Sequence, residues 1–160
     1  MRHGPAVMLW DRLVAFGFRL LYNELAWTYD AVSWLASRGR WRDWQRTILA
    51  HLPRDGRVLE VGCGPGHTLV DMASTGHAVV GVDRSVWMLR LAQRRMASRG
   101  LQPPLLLGRA SRLPLASHSF DALVSLFPTS YAYQAAWANE VVRVLRDGGR
   151  LVIAELALSL

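Results

Sequence analysis

The hydrophobic positions change their spacing near residue 57, and the change divides the chain into two parts. Upstream, apolar residues recur at helical spacing over Val7–Trp27, Ala31–Ala36 and Trp41–Leu52, which predicts a helical cap spanning residues 1–56. Downstream, over residues 57–160, short unbroken apolar runs alternate with amphipathic stretches. The runs are typical of buried strands, and the stretches are typical of the helices that cover them. We therefore predict one domain, in which a helical cap is joined to an α/β core.

Five strands and three helices are predicted in the core. The predicted strands are Arg57–Gly62, His77–Asp83, Pro104–Leu107, Phe120–Phe127 and Arg150–Leu158. The predicted helices are Thr68–Ser74, a segment that Ser85 caps and that ends at Arg99, and Gln134–Arg146, which a turn at Asp147-Gly148-Gly149 follows. Because strands and helices alternate, we expect a parallel sheet with helices on both faces, in a three-layer Rossmann-like arrangement.

A glycine-rich loop directly follows the first predicted strand. Residues Val58–Gly66 read Val-Leu-Glu-Val-Gly-Cys-Gly-Pro-Gly. Glycine adopts backbone angles that other residues avoid and lets a ligand approach the main chain, so a loop at this place predicts a nucleotide cradle. The spacing excludes the dinucleotide fingerprint, whose third glycine would stand at His67. It also excludes the phosphate loop, which needs a lysine that this chain lacks.

The pattern Glu60-x-Gly62-x-Gly64-x-Gly66 resembles the first sequence motif of class I S-adenosylmethionine-dependent methyltransferases. Three later segments resemble further motifs of this family, in the family's order: Val79–Asp83, Leu113–Val124 and Val144–Ile153. The first of these is a strand that ends in an acid. Upstream, Tyr29–Trp41 resembles the methyltransferase type 11 group, the ubiquinone and menaquinone C-methyltransferases with their phospholipid N-methyltransferase relatives.

The resemblance implies a methyltransferase with sheet order 3-2-1-4-5 that uses S-adenosylmethionine and leaves S-adenosylhomocysteine as product. In the family, the acid of the first motif lies near the cofactor's amino group, and the acid that ends the second strand accepts hydrogen bonds from both ribose hydroxyls. These acids correspond to Glu60 and Asp83. The implied cofactor-binding residues are Tyr29, Glu60, Gly62, Cys63, Gly64, Gly66, Asp83, Arg84, Met88, Arg109, Ala110, Ser125 and Leu126.

Other polar or reactive residues are interpreted as structural, so the catalytic residues remain unassigned. Cys63 is taken as a small apolar filler and Asp121 as a structural acid, while His67, His77 and His118 are expected to face solvent. No metal site is expected, because one cysteine and scattered histidines lack the paired spacing that zinc requires.

The sequence departs from the family's pattern at two places. Where the family often has an acid that meets the adenine amino group, this chain reads Gly108-Arg109-Ala110. Arginine cannot accept a hydrogen bond, so adenine would be held by backbone groups and by stacking on Arg109. The family also continues past the fifth strand with a helix and two more strands. Without them, Leu151–Leu158 would be an exposed apolar edge that is prone to pair with another chain. Three interpretations stay open: the sequence is a fragment, a second copy or another partner covers this edge, or the protein is unstable alone.

Charge and aromatic content leave several interpretations open. The formal net charge is +7, and every basic residue other than histidine is arginine. Arginines cluster at positions 38, 40, 42 and 46 and at positions 90, 94, 95 and 99. These clusters are either solvated helix faces or sites that attract nucleic acid, anionic lipid or an acidic partner. The amphipathic Val7–Trp27 segment either packs on the domain, covers a substrate or lies on a membrane surface. The tryptophans before residue 57 are either packing residues or a cap over a ligand.

The sequence as a whole predicts methyl transfer to a small-molecule or lipid-like acceptor. Two alternatives stay open: RNA methylation, and a non-catalytic methyltransferase fold that acts as a partner subunit. The lone cysteine, Cys63, favours a reducing, cytoplasmic environment, and the amphipathic segment allows peripheral membrane contact.

Overall fold

The computed structural model describes Gly17 and residues 20–155, and within them five strands form one sheet. The strands are β1 (Arg57–Val61), β2 (Ala78–Asp83), β3 (Leu105–Leu107), β4 (Phe120–Leu126) and β5 (Leu145–Ala154). Every neighbouring pair is parallel, and the spatial order is β3-β2-β1-β4-β5. This confirms the predicted Rossmann-like order, in which the strand order reverses between β1 and β4.

Helices connect the strands and also precede the sheet. They are α1 (Tyr29–Ala36), α2 (Trp41–Arg46), α3 (His67–Ser74), α4 (Val86–Ala97) and α5 (Ala135–Val144). Short 3₁₀ helices occupy Ala26–Thr28, Thr47–His51 and Ser130–Tyr133. As predicted, Ser85 caps α4, because its hydroxyl accepts a hydrogen bond from the Met88 backbone N–H.

Successive residues of the central strands point to opposite faces of the sheet, and both faces are covered. Val58 of β1 packs into a cluster with Leu69 of α3, whereas its neighbour Leu59 packs with Leu123 of β4 and Trp137 of α5. All five side chains are almost completely buried. The central strands are therefore apolar on both sides, which explains their unbroken apolar runs.

The fifth strand differs from the prediction, because it begins at Leu145 and includes the segment expected to form a turn. Leu145 pairs with Phe120 and Arg150 pairs with Ala122, so residues 146–149 bulge out between two ladder positions. Gly148 lies in this bulge with φ of 74°. The ladder continues to Ala154, and the predicted end of the strand at residue 158 lies outside the described residues.

The described residues before β1 form short helices and turns, and one predicted helix differs from the structure. The predicted Trp41–Leu52 helix divides into α2 and a 3₁₀ segment, and most of the predicted Val7–Trp27 helix lies outside the described residues. Elsewhere, the expectation that His77 faces solvent is wrong. Its ring is buried, and burial is tolerated because both ring nitrogens have hydrogen-bond partners. Nε2 lies 2.8 Å from the Pro53 carbonyl oxygen, and Nδ1 lies 3.0 Å from the Thr75 hydroxyl.

Candidate functional site

Polar residues meet where the carboxyl ends of β1, β2 and β4 lie side by side. Glu60 lies near the end of β1, Asp83 ends β2, and Ser125 lies near the end of β4. Gly62 follows β1 and donates its backbone N–H to the Val82 carbonyl at 2.8 Å, which joins the glycine loop to β2. In open parallel sheets, ligands bind in the crevice at this edge, where the strand order reverses.

The three glycines of the loop all have positive φ, but their surroundings differ. A Cβ added at Gly66 would lie 2.8 Å from the Ala92 Cβ, so this glycine allows α3 and α4 to approach closely. A Cβ at Gly62 would lie 3.2 Å from the Tyr131 hydroxyl, and one at Gly64 would meet nothing within 4 Å. Gly66 therefore serves packing, whereas Gly64 leaves space open beside the main chain.

Asp83 is buried, and each of its carboxylate oxygens accepts one backbone hydrogen bond. Oδ2 accepts from the Gly64 N–H at 2.9 Å, and Oδ1 accepts from the Ser85 N–H at 2.8 Å. Burial raises the pKa of Asp83, while these two backbone donors lower it by smaller amounts. Each oxygen keeps a further acceptor position, so the carboxylate can still receive both hydroxyls of a ribose.

Glu60 is the most deeply buried acid of the site. Burial raises its pKa well above the ordinary glutamate value; a hydrogen bond with Thr68 lowers the pKa by a smaller amount, and the charge of Asp83 raises it further. Its Oε2 atom has no hydrogen-bond partner within residues 17 and 20–155. Because an unpartnered buried acceptor is unfavourable, this atom indicates a donor or cation that the described chain does not supply. A protonated amino group, such as that of S-adenosylmethionine, fits this requirement.

A tyrosine that sequence reasoning missed contacts the same edge of the sheet. The Tyr131 hydroxyl lies 2.7 Å from Ser125 Oγ, which in turn donates to the Val61 carbonyl at 3.2 Å. The ring packs edge-on against Trp137 with 5.4 Å between centroids. Burial raises the pKa of Tyr131, so the hydroxyl remains protonated and acts as a hydrogen-bond donor at neutral pH. No sequence pattern indicated this contact, because Tyr131 follows the end of β1 by 70 residues and lies in a short 3₁₀ segment without a recognisable motif.

The residues before β1 cover the glycine loop. Within this cover, Ala26 and Tyr29 are buried and pack in one cluster with Met88 of α4, which is also buried. Burial also raises the pKa of Tyr29, so its phenol is neutral. The Ser85 hydroxyl donates to the Tyr22 carbonyl at 2.5 Å, which joins the cover to the start of α4.

A narrow cleft remains between this cover and the loop. Its walls are formed by Tyr22, Tyr29, Trp41, Gln45, Glu60, Gly62, Cys63, Gly64, Pro65, Leu126 and Phe127. Its volume is about 40 Å³, which accommodates a small polar group but not a nucleoside. A larger ligand therefore requires the covering segment to move.

One acid of α1 links the covering segment to the glycine loop. Asp30 pairs with His67, the first residue of α3, at 2.8 Å and with Arg95 of α4 at 2.5 Å. Arg95 also donates to the Pro65 carbonyl within the loop. Hydrogen bonding with His67 is the largest cause that lowers the pKa of Asp30. We call these three side chains the Asp30 latch.

The other predicted residues lie around the same edge in different environments. Arg84 and Arg109 are exposed, and the Gly108 N–H donates to the Asp83 carbonyl at 3.0 Å, which keeps the Arg109 segment beside β2. Ala110 packs against the core cluster below the sheet edge. The structure thus brings the predicted residues to one edge, except that Met88 lies in a closed cluster rather than on open surface.

Cys63 is buried against the position that a side chain at Gly81 would occupy, at 3.0 Å from an added Cβ. Burial raises the pKa of its thiol well above the ordinary value, so the sulfur is not a nucleophile at neutral pH.

Among the described residues, no three histidine, cysteine or acidic side chains are grouped as metal ligands. The helices in that part of the chain are too short or too polar to cross a membrane.

A family model described as a methyltransferase domain matches residues 58–149, which contain the glycine loop, Asp83 and most of the sheet. The chain belongs to the class I S-adenosylmethionine-dependent methyltransferases. This confirms the predicted family and the predicted cofactor, S-adenosylmethionine. A demethylmenaquinone methyltransferase of Symbiobacterium thermophilum is 34% identical to this methyltransferase over 145 residues. The match covers 86% of this chain and 58% of that protein, so the chain spans less than two thirds of the relative's length.

Two solved structures show the same fold. The PH0226 protein of Pyrococcus horikoshii OT3 is 26% identical with a TM-score of 0.65, and the match covers 73% of this methyltransferase and 57% of that chain. A SAM-dependent methyltransferase of Methanosarcina mazei is 29% identical with a TM-score of 0.56, and the match covers 62% of this chain and 52% of that one.

Proposed function

We propose that this methyltransferase binds S-adenosylmethionine along the glycine loop and transfers its methyl group to a small-molecule or lipid-like acceptor. The proposal rests chiefly on the hydrogen bond from the Gly64 backbone N–H to Asp83 Oδ2. This bond holds a carboxylate that still has acceptor positions for two hydroxyls, beside main chain that no other atom covers at Gly64. The demethylmenaquinone methyltransferases among its relatives favour a quinone-type lipid as the acceptor.

When bound, the cofactor supplies a methyl group on a positively charged sulfonium, which the acceptor takes in line. The residues of this chain hold the two reactants in that alignment. In the proposal, Asp83 accepts hydrogen bonds from the ribose hydroxyls, and the buried Glu60 faces the cationic end of the cofactor. Because a neighbouring cation favours the ionised acid, ligand binding would draw a proton from Glu60, whose pKa burial raises in the free protein.

Tyr131 is our candidate for the residue that positions the acceptor. Its hydroxyl lies 2.7 Å from Ser125 Oγ near the end of β4, and 3.2 Å from the place that a Cβ would occupy if Gly62 were substituted. We assign it a positioning role in which the hydroxyl turns its one proton from Ser125 toward an oxygen of the methyl acceptor. Its raised pKa disfavours the role of a general base.

The exposed face of α1 supports contact with a membrane that holds such an acceptor. Trp34 is 64% exposed and Leu35 is 73% exposed, and Val32, one turn before Leu35, is exposed as well. Arg38 and Arg40 follow directly and are also exposed. Apolar rings next to arginines are suited to the surface of an anionic bilayer. Retention on phosphatidylglycerol vesicles but not on phosphatidylcholine vesicles, lost in Leu35→Glu, would support this; equal retention on both would contradict it.

The edge of β5 supports a contact with a second copy of the chain. Leu151 and Ile153 are each a little over two fifths exposed, and β5 pairs with β4 alone among the described strands. Sedimentation velocity would test the contact, with Ile153→Arg expected to shift a dimer to monomer. A wild type that sediments as a monomer at high concentration would contradict it.

RNA methylation is favoured less by the structure than by the charge count. Arg42 pairs with Asp71 at 2.6 Å, and Arg95 belongs to the Asp30 latch, so both predicted arginine clusters lose a member to internal pairing. The remaining exposed arginines keep RNA as an alternative acceptor. The non-catalytic alternative predicts no transfer to any acceptor.

One experiment separates these functions. Purified protein is incubated with methyl-tritiated S-adenosylmethionine and vesicles that contain demethylmenaquinone, with total RNA, or with buffer. We expect label in the organic extract from the vesicle reaction, and none with Asp83→Ala. Label in the RNA alone would replace the lipid acceptor by the alternative, and label in neither would contradict methyl transfer by this chain.

A further inference from the structure

Two buried polar atoms of the cleft lack hydrogen-bond partners among the described residues. One is Glu60 Oε2, and the other is Trp41 Nε1. Both residues line the cleft beside Gly62 and Gly64. The first atom only accepts when the acid is ionised, and an indole N–H only donates. With Glu60 ionised, the cleft therefore presents one unsatisfied acceptor and one unsatisfied donor to a ligand that enters it.

The Trp41 ring is held in place by its neighbours. It packs on Phe127 with 4.4 Å between ring centroids and meets Trp44 edge-on at 6.3 Å. The Trp41 backbone N–H donates to Ser37 Oγ at 2.9 Å, which fixes the start of α2. An indole held this way cannot turn its N–H to solvent without losing these contacts. A permanent orphan donor at this position would be destabilising, so the arrangement indicates a ligand acceptor.

We infer that Trp41 Nε1 donates a hydrogen bond to the carboxylate of the cofactor's methionine part. This inference rests on the proposed function. An α-amino acid carries an ammonium and a carboxylate on one carbon, which matches an unpaired acid and an unpaired donor on the walls of one small cleft. The cleft volume of about 40 Å³ suits such an end group. The assignment makes Trp41 a binding residue, whereas the sequence indicated packing as one of two interpretations.

The test compares two ligands that differ only at this carboxylate. Binding of S-adenosylmethionine and of its decarboxylated analogue is measured by calorimetry for wild type, Trp41→Phe, Trp41→His and Trp44→Phe. Phenylalanine keeps an aromatic ring against Phe127 but has no donor, and histidine keeps a ring N–H. Trp44→Phe is the matched control, because Trp44 touches Trp41 without lining the cleft.

We expect wild type to prefer S-adenosylmethionine over the analogue by about tenfold or more, the usual value of a hydrogen bond to a charged group. Trp41→Phe should lose that preference, while Trp41→His retains part of it and Trp44→Phe all of it. The ratio of two affinities on one protein is insensitive to a general loss of stability. Equal weakening of both ligands by Trp41→Phe, or an unchanged ratio, would overturn the role of Trp41 alone. Failure of wild type to bind either ligand would overturn the proposed function and this inference together.

Discussion

Neighbouring glycines of one loop contribute to this site in different ways. Gly66 faces Ala92 across the α3–α4 contact, and Gly64 faces open space next to Asp83. Both have positive φ, so a side chain at either position strains the backbone. Only at Gly66 does a side chain also collide with a packed helix. Their substitutions should therefore separate stability from ligand binding.

Gly66→Ala should lower the free energy of unfolding by about 2–4 kcal/mol, since backbone strain and overpacking add. Gly64→Ala should cost about 1–2 kcal/mol from backbone strain alone, but should weaken cofactor binding more. Urea unfolding and calorimetric titration of the two variants measure these effects. Equal losses of stability would show that the Ala92 contact does not constrain the loop.

The buried Glu60 should give the free protein an unusual dependence on pH. Burial raises the folded-state pKa of Glu60 above its unfolded value, so the folded protein keeps a proton that the unfolded chain has lost. Stability is then greatest below the unfolded pKa and falls as pH rises through the window up to the folded pKa. In that window the difference between wild type and Glu60→Gln should change by up to about 1.4 kcal/mol per pH unit, in favour of the variant at higher pH.

Urea unfolding of both proteins from pH 4 to pH 8 measures this difference. Because all other titrating groups are shared, their contributions cancel in the comparison. Parallel stability curves would show that Glu60 has the same pKa in the folded and unfolded chain.

At the scale of elements, the sheet edge is a crevice covered by the segment before β1. The Asp30 latch joins α1 to the first residue of α3, directly after the glycine loop, and to α4, across 37 and 65 residues of sequence. The cleft beneath the cover is too small for a nucleoside. Opening of this cover should therefore limit the rate at which the cofactor enters.

Asp30→Asn should accelerate cofactor association by up to about fivefold, the factor that corresponds to about 1 kcal/mol for a half-exposed ion pair. Stopped-flow fluorescence gives the rate, and Asp43→Asn, an exposed acid of α2, is the control. If Asp30→Asn still binds the cofactor but associates with it at the wild-type rate, the latch does not restrain the cover.

Much of this element arrangement could be predicted from sequence, because the determining residues are close along the chain. The run from Val58 to Gly66 joins a buried strand to a glycine loop, and Asp83 ends the next strand. The position of Tyr131 and the pairing of Asp30 with Arg95 depend on packing between distant segments, which spacing alone does not encode. The bulge in β5 was missed for a similar reason. Asp147-Gly148-Gly149 has the composition of a turn, and only pairing with β4 makes it part of a strand.

For the whole molecule, fold and family imply one cofactor, while the acceptor depends on surfaces outside the shared core. The glycine loop, Asp83 and Glu60 belong to the sheet edge, whereas the apolar face of α1 and the hydroxyl of Tyr131 lie around it. Arg109 stands where the family often has an acid near adenine, and we propose that backbone groups and stacking on Arg109 hold that end of the cofactor. Because the acceptor depends on these other surfaces, cofactor binding by this chain is the central claim to test.

Calorimetric titration of the purified chain with S-adenosylmethionine, beside Asp83→Ala, tests that claim most directly. We predict micromolar binding by wild type and at least about a hundredfold loss in the variant, since two hydrogen bonds between ribose hydroxyls and a carboxylate disappear. Circular dichroism would confirm that both proteins are folded. A folded wild-type chain that binds no S-adenosylmethionine, or a variant that binds as well as wild type, would contradict it.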